Sequence, residues 1–333
     1  MALTPSTTAA LAVEDLTIDI GGQAVVDGVS FTVATGEVLA LVGESGCGKS
    51  LTALALMGLL PDAASVARGR VVLDGLDLAS LSEREMQAVR GNRLSIIFQE
   101  PTASLDPLAS VGAQIAEAYR LHRRVSRSQA RAKAREMLVA VGIPDPEHRL
   151  DQYPHQLSGG MCQRVMIAIA LICGPPVLVA DEPTTALDVT IQAQILDLMK
   201  RLVAERGTGI VLITHDMGVV ADIADRVAVM YAGRIAEIAP AGELFTRPAH
   251  PYTALLLGSV PRRDLKPKQF LKIIEGSVPS AAEFGAGCRF ADRCPLVGER
   301  CRIEAPPLIE REAGHRAACW HADRVAELIG FPA

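Results

Sequence analysis

The chain has 333 residues, 49% hydrophobic and 21% charged, which suits one large α/β domain with a smaller appendage and lies in the globular range. A formal net charge of -5 and a pI near 5.8 give no overall basic surface of the kind that drives sequence-independent nucleic-acid binding. The longest nearly apolar run, residues 165–180, is interrupted by Gly174-Pro175-Pro176 and is shorter than the roughly 20 residues needed to span a bilayer, so any membrane role passes through partners.

Residues 1–14 lack the Lys/Arg-rich start and sustained apolar stretch of a signal peptide, and the expected location is the cytosol. Residues 38–42 (Val-Leu-Ala-Leu-Val) form a continuous apolar run that ends in a glycine-rich loop and is followed by helix-forming residues 51–60. The pattern predicts strand, loop and helix. Short apolar runs recur at residues 94–98, 177–180 and 210–214, each followed by polar residues, as expected where buried parallel strands end at a ligand face. Between the first two of these recurrences, residues 111–170 read mostly as helices broken at Gly142-Ile143-Pro144-Asp145-Pro146, a helical insertion in an α/β core. After about Gly233 the prolines multiply and a cysteine-bearing segment follows, which marks a C-terminal appendage.

Gly43-Glu44-Ser45-Gly46-Cys47-Gly48-Lys49-Ser50 fits a G-x-x-x-x-G-K-[ST] phosphate loop in its required place between strand and helix. Small residues let successive backbone N–H groups from Gly43 to Leu51 face one concavity, and the helix N-terminus adds partial positive charge. Lys49 then reaches the β- and γ-phosphates of ATP, and the Ser50 hydroxyl binds Mg²⁺. At the end of the 177–180 run, Asp181 is placed to hold Mg²⁺ and Glu182 to orient and deprotonate the attacking water; alone, such a pair often merely caps a helix. Leu157-Ser158-Gly159-Gly160-Met161, before an apolar helix, sets a hydroxyl and backbone N–H groups at a second helix N-terminus, where an ordinary cap is the plain alternative.

Taken together, residues 11–239 resemble the nucleotide-binding domain of ABC transporters, a P-loop NTPase fold with a helical subdomain at about 108–172. Residues 157–161 resemble the signature motif, with Met161 where Gln is usual; Gln99 resembles the Q-loop, Thr185-Ala186-Leu187-Asp188 the D-loop, and His215 the switch histidine. The resemblance implies head-to-tail pairing of two subunits, so that Ser158, Gly159, Gly160 and Asp188 of one chain serve ATP held by the phosphate loop of the other. It further implies that His215 contacts the γ-phosphate and that Gln99 joins Mg²⁺ and the attacking water to a membrane partner. Ile20 stands where the family places an adenine-stacking aromatic, so base selectivity should be relaxed and GTP hydrolysed as well.

The stretches from Gln99 to Pro107 and from Tyr153 to Met161 resemble the ATP-binding subunits of oligopeptide and dipeptide importers, as does Gly287-Cys288-Arg289-Phe290-Ala291-Asp292-Arg293-Cys294-Pro295. This divides the chain into a nucleotide-binding domain at 1–239 and an extension at 240–333. The resemblance implies a second homologous ATPase subunit, two transmembrane permease subunits, an extracytoplasmic substrate-binding protein and no nucleic acid, with the chain peripheral on the cytoplasmic face of the inner membrane. Dipeptides or oligopeptides are the expected cargo, with nickel or another small solute as the alternative; a non-transport ABC ATPase acting on nucleic acid or ribosomes is the more distant reading.

Cys288, Cys294, Cys301 and Cys319 lie in the extension with five, six and seventeen residues between successive members. Four thiols close together in a cytosolic protein point to a metal centre rather than disulfides, but the intervals match neither zinc pairs nor the common ferredoxin patterns. The importer resemblance implies a [4Fe–4S] cluster, with zinc or free thiols as the alternatives. Cys47, Cys162 and Cys173 read as isolated small residues, Cys47 with a thiol open to alkylation.

Overall fold

The structure is a computed structural model that describes residues 9–184, 189–260 and 273–329. In chain order the strands are β1 (Ala9–Ile20), β2 (Gln23–Ala34), β3 (Val38–Val42), β4 (Ala64–Leu73), β5 (Leu76–Asp77), β6 (Leu94–Ile97), β7 (Val177–Asp181), β8 (Gly209–Thr214), β9 (Arg226–Tyr231), β10 (Arg234–Pro240), β11 (Ile309–Glu312) and β12 (His315–Ala317). The principal helices are α1 (Lys49–Leu56), α2 (Val111–His122), α3 (Arg127–Ala140), α4 (Gly159–Leu171), α5 (Val189–Arg206), α6 (Met217–Ile223) and α7 (Pro251–Gly258). The described residues fall into two compact units: those within Met1–Ala12, Thr32–Val38 and Val71–Ile213, and those within Val13–Phe31, Leu39–Arg70 and Thr214–Ala333.

In the first unit, β6, β7 and β8 pair in parallel, with Leu94 opposite Val177 and Val177 opposite Gly209. Every residue of β7 and β8 is buried, which is why their sequences read as unbroken apolar runs and not as alternating ones. The expected helical insertion is present as α2, α3 and α4. Ser110 and Ser126 cap α2 and α3 by accepting from the N–H of Ala113 at 3.3 Å and of Gln129 at 3.2 Å. The break after α3 is fastened by Arg164 of α4, whose Nη1 donates to the carbonyls of Val141 at 2.7 Å and Gly142 at 3.1 Å. Most of α4 is buried, from Cys162 to Ala168 without a break and including Gln163 and Arg164, so this helix is enclosed around most of its circumference.

In the second unit the strand order is β11-β12-β10-β9-β3, with β3 and β9 parallel and the other neighbours antiparallel. Ala232 and Gly233 make the two-residue β9–β10 turn, both at positive φ (45° and 82°), the geometry whose twist matches a hairpin. A Cβ on Gly233 would stand 2.2 Å from the Val25 carbonyl oxygen, so this position is closed to any other residue. The core of this unit contains an aromatic triad from distant parts of the chain. Tyr231 lies 4.7 Å from Tyr252 and 5.0 Å from Phe290 between ring centroids, the latter pair edge-on.

The C-terminal hairpin of β11 and β12 is secured by a buried acid. Glu237 of β10 has no exposed surface, and its carboxylate accepts from the N–H groups of Ala249 at 2.7 Å and His250 at 2.9 Å, while Nε2 of His315 lies 2.7 Å from Oε1. Each oxygen is satisfied, which is what permits a carboxylate to stand in a core.

Candidate nucleotide site

In the second unit β3 ends at Val42 and the phosphate loop runs into α1, as the sequence predicts. The loop is seated against the β9–β10 hairpin: a Cβ on Gly43 would come within 2.1 Å of the Met230 carbonyl oxygen, and Gly233 N–H donates to the Cys47 carbonyl at 3.0 Å. Gly46, by contrast, has open space where a side chain would project. Glycine is therefore required at Gly43 by close approach of backbone, whereas at Gly46 it answers to a φ of 80°. Lys49 is buried, and its ammonium donates to the carbonyls of Gly43 at 2.7 Å and Glu44 at 2.9 Å. Ser45 and Ser50 are exposed, and no acidic residue occupies the first turn of α1, so the partial positive charge at this helix start is undiminished.

Cys47 departs from its expected openness. It is fully buried, Lys49 Nζ lies 3.6 Å from its sulfur, and burial pushes its thiol above the ordinary range despite that ammonium. The thiolate that alkylation needs is thereby suppressed. His215 is exposed just past β8, and the neighbouring Asp216 caps α6 through Gly218 N–H at 2.8 Å. Ile20 ends β1 at the Gly21-Gly22 turn and is half-buried.

The first unit carries the other set. Asp181, buried, is the last residue of β7, and Glu182 follows at φ 48°, a left-handed conformation uncommon outside glycine, with its N–H bonded to the Ile213 carbonyl at 2.9 Å. Gln99 Nε2 donates to Glu182 Oε2 at 2.9 Å, which brings together two residues 83 positions apart that the sequence assigns to one reaction. Ser158 is exposed and caps α4 through a 3.4 Å bond from Met161 N–H, with Gly159 and Gly160 opening the helix. Thr185, Ala186, Leu187 and Asp188, expected to form the D-loop, lie outside the described residues.

Past Gln99, the Asp106 carboxylate accepts from Leu108 N–H at 2.8 Å and Gln114 braces the same turn through the Asp106 N–H at 3.0 Å and carbonyl at 2.9 Å. The result presents Leu108 almost entirely to solvent, 87% exposed. Leu108 lies just beyond the Gln99–Pro107 stretch, and its exposure was legible only from the structure.

Cys288, Cys294, Cys301 and Cys319 all line one small cavity of about 10 Å³ in the second unit. Burial raises the Cys294 thiol to about 11 and Cys319 to about 12, with the neighbouring thiols adding to the effect. Yet among the described residues no group of three or more His, Cys, Asp or Glu side chains is arranged to hold a metal ion. The expected [4Fe–4S] ligand set is thus convergent but not assembled: buried thiols without a compensating cation are held neutral.

The fold and its phosphate loop define a P-loop nucleotide hydrolase of the ABC ATPase type, mixed α/β. Residues 26–185 match the ABC transporter family and residues 236–301 match the oligopeptide/dipeptide transporter C-terminal region. The dipeptide transport ATP-binding protein DppD of Bacillus subtilis is 52% identical over 303 residues, covering 91% of this chain and 90% of that protein. The oligopeptide transport ATP-binding protein AppD of the same organism is 49% identical over 296 residues, covering 89% and 90%. Among solved structures, an ATP-binding cassette in a dimeric post-hydrolysis state with ADP and Pi aligns with a TM-score of 0.63 and 27% identity, over 69% of this chain and 98% of that one. The chain belongs to the ATP-binding proteins of ABC transporters. Among the described residues no helix is long and apolar enough to cross a membrane.

Proposed function

We propose that this chain binds and hydrolyses ATP to power import of dipeptides or oligopeptides through a membrane ABC transporter. One observation carries the reading: the ABC transporter match at residues 26–185 and the oligopeptide/dipeptide transporter C-terminal match at 236–301 occur in a single chain. We take residues 1–239 as the nucleotide-binding domain, with its helical subdomain at about 108–172, and 240–333 as the extension. Its partners are then a second homologous ATPase subunit, two permeases and an extracytoplasmic binding protein, with the chain held on the cytoplasmic face of the membrane.

In this reading the loop N–H groups and Lys49 cradle the triphosphate, and Ile20 contacts the base by apolar surface alone. Glu182, steadied by Gln99, accepts the proton of the water that attacks the γ-phosphorus as the bond to ADP breaks. His215 contacts the γ-phosphate. Ser50, Gln99 and Asp181 would hold Mg²⁺, which when bound would supply charge neutralisation at the phosphates. The exposed Ser50 hydroxyl and the buried acid at the end of β7 are oxygen donors of the kind that ion takes. Ser158, Gly159, Gly160 and Asp188 serve the nucleotide of the paired subunit, and the turn at Asp106 and Leu108 meets the permease.

The finer reading of the extension is that Cys288, Cys294, Cys301 and Cys319 take up a [4Fe–4S] cluster; what supports it is that all four line one small cavity, which must widen to admit the group. Anaerobic reconstitution followed by iron analysis and visible absorption tests it, and no iron would end it. For the function as a whole, the test is a tagged pull-down from gently solubilised membranes joined to uptake assays. Co-recovery of permeases and ATP-dependent peptide uptake is the expected result. Uptake of nickel and not of peptides would replace the cargo, and co-recovery with ribosomes or DNA would overturn the transport reading.

A further inference from the structure

Two arginines flank the central part of the cysteine segment, one just after Cys288 and one just before Cys294, and both run back to the phosphate loop. Arg293 Nη1 and Nη2 donate to Glu44 Oε2 at 2.6 Å and Oε1 at 3.0 Å, a two-pronged pair between residues 249 positions apart. The side chain of Arg293 is 7% exposed and that of Glu44 27%, so solvent screens the pair only in part. Arg293 is itself fixed by three more bonds, from Nε to the Glu275 carbonyl at 2.8 Å, from Nη2 to the Ile274 carbonyl at 3.2 Å and from Nη1 to the Tyr231 hydroxyl at 3.3 Å. Tyr252 completes the grip, its hydroxyl accepting the Glu44 N–H at 2.9 Å.

Arg289 makes the second tie. Its Nη1 donates to the Ala232 carbonyl at 2.6 Å and its Nη2 to Asp27 at 2.7 Å, and the adjoining Gly233 N–H holds the Cys47 carbonyl at 3.0 Å. The loop is thus held at Glu44 directly and at Cys47 through the hairpin turn. Glu44 is an acid inside a loop built to receive a polyanion, and an uncompensated carboxylate there opposes phosphate binding. Arg293 removes that opposition and fixes where the carboxylate points.

From this geometry we infer that Arg293 is a positioning residue through which the cysteine segment and the nucleotide loop are coupled. The inference rests on the reading of residues 43–50 as the nucleotide loop. Coupling free energies are reciprocal, so whatever loosens residues 288–294 weakens nucleotide binding, and bound nucleotide tightens those residues in return.

The test uses the full chain, a fluorescent ATP analogue and hydrogen exchange read by mass spectrometry. Arg293→Met should raise the dissociation constant roughly tenfold, within the usual span of coupling between sites. Glu44→Gln, which removes the carboxylate, should bind at least as tightly as wild type, and the double variant should bind like Glu44→Gln and not like Arg293→Met. In wild type the analogue should slow amide exchange across residues 288–294, and in both single variants that slowing should disappear. A double variant as weak as Arg293→Met would overturn the inference, because the loss would then be general distortion and not the bared charge. Should Arg293→Met fail to fold, Glu44→Gln alone decides: nucleotide-dependent protection of 288–294 retained in that variant sinks the coupling. Failure of the wild-type chain to bind the analogue, matching a Lys49→Ala control, would overturn the loop reading and this inference together.

Discussion

Gln99 and Glu182 meet through a 2.9 Å hydrogen bond from the amide nitrogen of one to Oε2 of the other. The bond fixes the plane of the Glu182 carboxylate. Glu182→Gln should preserve ATP affinity within about twofold and reduce turnover by roughly 100-fold or more, the usual loss when a general base is removed. Because Gln bears the same left-handed backbone burden as Glu, the fold should be retained. Single-turnover hydrolysis beside a binding titration checks both parts; undiminished single-turnover hydrolysis by the purified variant would remove Glu182 from the role.

In the proposed reading Ile20 offers the base a branched aliphatic side chain in place of a ring. Stacking is worth about 0.5–1.5 kcal/mol beyond area alone, so Ile20→Tyr should tighten ATP binding by roughly two- to tenfold and raise ATP preference over GTP. Wild type should hydrolyse GTP measurably. A GTP rate equal to the nucleotide-free blank would show that selectivity resides elsewhere.

Leu108 is exposed on a turn set by Asp106, an arrangement that leaves apolar surface in water without local benefit. Leu108→Glu, and Asp106→Ala through loss of the turn bond, should leave ATP affinity of the isolated chain within about twofold. In the assembled transporter, peptide uptake per ATP hydrolysed should fall severalfold, since a charge introduced into an apolar contact removes the burial and adds a desolvation cost. Parallel loss of ATP binding and uptake would contradict the docking assignment.

His250 is wholly buried, and desolvation, partly opposed by Glu237, lowers its imidazole from 6.5 to about 4. Its Nδ1 accepts the Tyr252 N–H at 3.1 Å, which a doubly protonated ring cannot do. The folded chain therefore keeps it neutral at a pH where the unfolded chain protonates it. Stability should fall as pH drops from about 6.5 towards 4, by up to roughly 3 kcal/mol from this group. Denaturant unfolding across that window, compared with His250→Asn, measures it: the variant can accept the same N–H and should show a shallower decline.

The four short apolar runs became β3, β6, β7 and β8 within about a residue because parallel strands buried on both faces need nothing but apolar side chains. β1, β2 and β4 escaped reading, since in strands that mix buried and exposed residues, such as the Ala9–Ile20 strand with Glu14, Asp15 and Asp19, the signal is alternation and not a run. The Gly21-Gly22 pair, both at positive φ, was the available hairpin clue. Motif spacing nominated the residues assigned to the nucleotide chemistry but was silent on Glu44, a variable position of the phosphate-loop pattern. Its partner Arg293 lies in a different part of the chain, and long-range ion pairs leave no periodic trace. The cysteine count pointed to a metal centre, whereas whether four sulfurs stand as ligands depends on angstrom-scale placement that spacing does not encode.

The 249 positions that separate Glu44 from Arg293 also set an order of events during synthesis. A ribosome adding about 5–20 residues per second leaves the phosphate loop outside the tunnel for tens of seconds before its arginine is made. Tyr231 and Tyr252 are made late in that interval, and without Phe290 their shared apolar face stays uncovered. A message truncated within the extension therefore yields a chain that carries every nucleotide motif and still exposes a sticky surface, a product suited to capture by chaperones and proteases.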